Sequence, residues 1–115
     1  MATERQMAEL FARLLSFARA EKTASYSEIA TIVGLDMSSP SDRDYLGHLL
    51  GYISSAEAHE GRPMLSAVVW HKGENTIGAG FQKLGAQLGL RRSRDDDDSF
   101  LVRELQRTYL TWKPG

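Results

Sequence analysis

The feature that most restricts this chain is a short helix with both ends written into its residues. Ser25-Tyr26-Ser27-Glu28 is a capping box: the Ser25 oxygen accepts from a first-turn amide, and the Glu28 carboxylate reaches back to the cap amide. Gly34 stops the helix, with Ile29, Ala30 and Val33 directed inward. A longer helix is expected on each side. Upstream, Thr3 supplies an N-cap for a helix to about Lys22, in which Met7, Leu10, Phe11, Leu14 and Ala18 form one face and Leu15 and Phe17 widen it. Downstream, residues 35–41, with three serines and Pro40, read as a connector. A third helix then starts at Ser41 or Asp42 and runs to about Ala58, carrying Tyr45, Leu46, Leu49, Leu50, Ile53 and Ala56 as its apolar positions. Gly47 and Gly51 lie one turn apart inside it. Each costs about 1 kcal/mol of helix propensity against alanine, so close approach of another backbone is expected there.

Gly61-Arg62-Pro63 ends the helical section, and Met64 to Trp70, short, apolar and partly β-branched, reads as a strand. Residues 71–75 supply turn chemistry and Thr76-Ile77 begins a return strand. Gly78-Ala79-Gly80 leads into a helix with Phe81, Leu84 and Leu88, closed by Gly89. Residues 91–98 hold no apolar side chain and read as an exposed linker. From Ser99 a last helix carries Leu101, Leu105, Thr108 and Trp112 on one face. The order predicts an α+β fold, mostly α: a winged helix-turn-helix of three helices and a β-hairpin wing, with two further C-terminal helices. It divides into a winged helix-turn-helix domain over 1–90, a charged linker over 91–98, and a helix over 99–115 packed on the same domain or on a partner.

Composition narrows the chemistry. There is no cysteine, so disulfides, thiolate catalysis and cysteine-ligated zinc are excluded. With no apolar run at the N-terminus and no stretch of membrane-spanning length, a cytoplasmic protein with no membrane contact is expected. Residues 1–94 carry eleven Lys/Arg against ten Asp/Glu, a balance of +1, and residues 95–115 carry three against five, −2. Neither segment has the basic excess of a dedicated nucleic-acid binder. A nucleophile elbow, a P-loop and a His-Glu-x-x-His motif are all missing, and Asp95 to Asp98 lack the alternating spacing of a calcium loop. No catalytic residue, cofactor or metal is therefore assigned. The four aspartates suit the capped, positive end of the last helix.

The helix order predicts a DNA-binding surface. Ser41, Arg43 and His48 on the third helix would face a groove, with His71 and Lys72 at the wing tip and Arg62, Arg91 and Arg92 on the backbone. Asp42 and Asp44 oppose this, since they would face phosphates. A non-enzymatic DNA-binding regulator is one expectation. The alternative is a protein-interaction module (adaptor, inhibitor or homodimer) that binds no nucleic acid, suited by the near-neutral charge and the Gly47/Gly51 face. A small hydrolase around Ser66 and the histidines His48, His59 and His71 is a third.

From Tyr26 to about Leu88 the sequence resembles the DNA-binding domain of alkylguanine alkyltransferases and alkyltransferase-like proteins. Tyr26-Ser27-Glu28-Ile29-Ala30 with Gly34, Leu46-Gly47 with Leu49-Leu50, and Val68-Val69 with Gly73 carry the likeness. The resemblance implies a protein that grips DNA through the minor groove and turns a damaged base out of the stack. On this alignment Leu65 stands in the place of the reactive cysteine and Ser66 in that of the histidine, so alkyl transfer, which needs a thiolate, is absent. Asp44 stands where the family has its intercalating arginine, with Arg43 beside it. The run from Gly61 to Val69, with Gly80-Phe81, is also similar to uncharacterised small bacterial proteins, which implies a bacterial or phage setting.

Overall fold

The computed structural model describes residues 2–70 and 77–114. Among them the chain forms α1 (Ala2–Arg19), β1 (Ala24–Ser25), α2 (Tyr26–Ile32), α3 (Pro40–His59), a 3₁₀ turn (Leu65–Val68), β2 (Val69–Trp70), α4 (Ile77–Gln87) and α5 (Asp97–Trp112). The fold is α+β and mostly α. No helix among the described residues is long and apolar enough to cross a membrane.

The capping box forms as expected. Ser25 Oγ accepts from the Glu28 amide and Glu28 Oε1 accepts from the Ser25 amide, both at 3.2 Å. Gly34 takes a left-handed φ of +76°, and the Leu35 amide beyond it returns to the Ala30 carbonyl at 2.8 Å. Seven residues are too few for a helix to persist alone, so α2 depends on its neighbours. Ile29 and Ala30 are buried in the core. Gln6 of α1 donates to the Val33 carbonyl at 3.0 Å while accepting from the Tyr45 hydroxyl at 2.9 Å, which ties α1 to α2 and α3. The connector is also held: Asp42 accepts from the Asp36 amide, and Asp36 accepts from the Ser38 amide, each at 2.9 Å. Ser39 caps α3, and Pro40 occupies its first turn, one step earlier than expected. Thr3 lies within α1 rather than ahead of it.

Residues 64–70 and Ile77 depart from the expected strands. Leu65–Val68 is a 3₁₀ turn, β2 pairs in parallel with β1 (Ala24 with Val69, Ser25 with Trp70), and Ile77 opens α4. The expected strand over residues 64–70 is thus reduced to Val69–Trp70, and the turn and Thr76 of the expected return strand lie outside the described residues. The reason is burial. Met64, Leu65, Ala67, Val68 and Val69 are all buried, with α1, α3 and α5 packed around the turn. A run enclosed on every side has no period-2 alternation to distinguish a strand from a helical turn. Leu65, Val68 and Val69 join the main core with Leu10, Leu14, Leu46 and Leu50. Met64 and Ala67 join a second cluster with Phe81 and Phe100. The segment is a post between two cores.

The charged stretch before α5 is exposed at most of its positions, as expected, and is also clasped by ion pairs. Arg91 reaches Asp97 Oδ1 at 2.6 Å and also bonds Gln82, and Arg103 grips Asp95 at 2.7 and 3.1 Å. Asp96 caps α5 by accepting from the Ser99 amide at 2.7 Å. α5 packs on α1, α4 and the 3₁₀ turn, so it is not detached. Its buried Glu104 accepts from the Met64 amide at 3.1 Å and from Arg107 at 2.5 Å. Trp112 meets Phe11 edge-on with centroids 6.5 Å apart.

The glycines of α3 do not serve close backbone packing. Among the described residues a β-carbon on Gly47 would meet nothing within 4 Å, and one on Gly51 only Leu84 Cδ2 at 3.9 Å. Gly85 of α4 is the tight one: its β-carbon would fall 2.4 Å from the Phe100 ring.

Candidate functional site

The space over Gly47 and Gly51 belongs to an open cleft of about 690 Å³ between α3 and α4. Its geometry follows from helical spacing. Arg43, Gly47, Gly51 and Ser55 recur every four residues along α3, and Asp44, His48 and Tyr52 run beside them, so one stripe of the helix fronts the cleft. Phe81, Lys83, Leu84 and Gln87 of α4 form the facing wall. Tyr26, at the start of α2, and Ser66, in the 3₁₀ turn, close the inner side.

Three aromatic residues therefore line one cavity: Tyr26, Tyr52 and Phe81, the last buried in the second core with its ring against Phe100. Tyr52 is 66% exposed, and burial pushes the Tyr26 phenol above its ordinary value, so it stays protonated. Arg43 and Lys83 line the cleft against one carboxylate, Asp44. At the inner wall Ser54 Oγ donates to Ser66 Oγ at 2.7 Å and accepts from the Ser66 amide at 3.1 Å. The bonded partner of the Ser66 hydroxyl is a second hydroxyl, neither imidazole nor carboxylate. Among the described residues no group of three or more His, Asp or Glu is placed to hold a metal ion.

Of the residues expected to contact nucleic acid, Arg43 and His48 meet at this cleft. Ser41 is exposed on the first turn of α3, with its Oγ 3.1 Å from Ser39 Oγ, and does not line it. Arg62 is engaged elsewhere. It forms a two-point ion pair with the buried Glu57, at 2.7 and 3.1 Å, and its guanidinium lies 5.8 Å from the Trp112 ring centre. Arg91 is occupied by Asp97, Gln82 and the Asp95 carbonyl. Arg92 is exposed, and its amide bonds Asp95. His71 and Lys72 lie outside the described residues. Sequence reasoning missed Tyr26, Tyr52, Phe81 and Lys83 as neighbours. A partial signal existed in the four-residue recurrence from Arg43 through Gly47 and Gly51 to Ser55; the α4 wall had none, because its placement depends on tertiary packing.

A second concavity, of about 610 Å³, lies between α1 and α3 and is lined by Met7, Ala8, Phe11, Tyr52, Ile53 and Ala56, with Glu4 and Glu57 at its edge. Comparison with protein-family models, with curated proteins and with solved structures finds no match for this chain.

Proposed function

We propose that this chain is a non-enzymatic DNA-binding protein that receives an unpaired base in the α3–α4 cleft. One observation carries the reading: Tyr26, Tyr52 and two cations line a cavity, with the buried Phe81 at its wall, and that cavity's helical side is thinned by glycines that no packing among the described residues requires. Clefts that take small ligands run to roughly 300–1,000 Å³, and the 690 Å³ here falls inside that range. Base stacking on an aromatic ring contributes about 1–3 kcal/mol without reading sequence. The expected helix-turn-helix arrangement of α2 and α3 and the alkyltransferase resemblance support the same reading, and the likeness of residues 61–69 to small bacterial proteins supports a bacterial or phage setting. A cytoplasmic regulatory role is part of the proposal, with Ser41 and Arg92 as outer phosphate contacts.

The low charge makes the proposal quantitative. With Arg43, Lys83 and Arg92 neutralising phosphates, the logarithm of affinity should fall against the logarithm of salt with a slope of about −2.1 on a single strand. Anisotropy titration of a labelled single-stranded oligonucleotide across a sodium chloride series tests this. No binding at micromolar protein in low salt, or binding indifferent to salt, overturns it.

The α1–α3 concavity favours a second reading, a protein-interaction module, because Met7, Phe11 and Tyr52 offer apolar surface in one place. Light scattering after size exclusion separates the two. A stable dimer that ignores oligonucleotides supports the second.

A further inference from the structure

We infer that Ser66 is a hydrogen-bond donor aimed into the α3–α4 cleft, and that the cleft selects a ligand whose inner edge carries a carbonyl oxygen or an unprotonated ring nitrogen. The inference rests on the base-binding reading above and adds the chemistry that the inner wall recognises.

A serine hydroxyl has one proton to give and two lone pairs to receive with. Ser54 is 0% exposed, and both of its roles are filled by the same neighbour: it receives the Ser66 amide at 3.1 Å and gives its proton to Ser66 Oγ at 2.7 Å. Ser66 accepts that proton, so its own is not spent on Ser54. Among the described residues no protein acceptor takes it. Ser66 is half-buried and lines the cleft, which leaves the cavity as the direction in which its O–H can be met. Accepting one hydrogen bond polarises the hydroxyl and strengthens the bond it donates. Ser54 is accordingly a positioning residue, fixing Ser66 by two bonds at once. A ligand with an apolar inner edge would strip water from the Ser66 hydroxyl and offer nothing back, so it should bind about tenfold more weakly than an acceptor-bearing isostere.

Two oligodeoxynucleotides test this by anisotropy: one of thymidine, and one built throughout from difluorotoluene nucleotides, which keep thymine's shape without its carbonyl acceptors. Wild-type protein should bind the thymidine oligomer about tenfold more tightly. Ser66→Ala should erase that ratio by losing thymidine affinity alone, Ser66→Thr should keep it, and Ser54→Ala should reduce it. Equal affinities in the wild-type protein, or a ratio that survives Ser66→Ala, overturn the inference. The wild-type comparison needs no variant to fold. If neither oligomer binds, the base-binding reading falls and this inference with it; if both bind alike, only the inference does.

Discussion

Replacing Gly47 with alanine separates two demands on α3. Gly47 stands well inside a helix of 20 residues, where alanine is favoured over glycine by about 1 kcal/mol. Among the described residues nothing lies within 4 Å of the position its β-carbon would take, so none of them opposes that gain sterically. The variant should therefore be more stable by about 1 kcal/mol, which raises the melting temperature by about 4 °C for a domain of this size. Urea denaturation should show a higher midpoint at unchanged slope, because no surface changes hands on unfolding. The same methyl group projects into the cleft, so oligonucleotide affinity should drop while stability rises. A stabilised variant that binds as tightly as wild type would refute the claim that this stretch of α3 faces the ligand. A destabilised one would refute the claim that the glycine is free of packing constraints.

Gly85→Ala is the same substitution with the opposite sign: the added carbon would meet the Phe100 ring at 2.4 Å, and overpacking of this kind costs about 1–3 kcal/mol, read by the urea midpoint. Glu104→Ala leaves the buried Met64 amide without its acceptor and should cost about 2–3 kcal/mol, again by denaturation, with Glu104→Gln milder because one carbonyl oxygen remains. Bonding from Arg103, and then from the Arg92 amide, holds the Asp95 carboxyl well below its ordinary value near 3.8. A depressed carboxyl stabilises the fold above the ordinary value, and that contribution is lost as pH falls further. Asp95→Asn should thus lower stability at neutral pH and flatten the acid limb of the stability curve below about pH 4, measured by thermal melts across a pH series.

What the sequence made legible was local. Ser25, Glu28, Gly34 and Asp96 act over three or four residues through bonds to nearby amides, and each stands where the structure uses it. Long-range relations were hidden. Nothing in Ala24-Ser25 announces a parallel partner at Val69-Trp70, and nothing in Arg62 announces Trp112. Met64 to Val69 misled because hydrophobicity reports burial and not backbone shape. Gly47 was read as a packing residue because propensity gives the cost of a helical glycine and not its purpose. The candidate site suffered most, since one of its walls is α4, and α4 faces α3 through tertiary packing.

The enclosed segment from Met64 to Val69 has a consequence for how the molecule can be divided. It contributes side chains to both apolar clusters, and α5 supplies the carboxylate that answers its first amide. Truncation ahead of α5 would expose Met64 and strip Phe81 of Phe100, so melting of either half propagates into the other. The chain is therefore expected to unfold as one cooperative unit, and a fragment that ends before α5 should not keep α3 and α4 in their present packing.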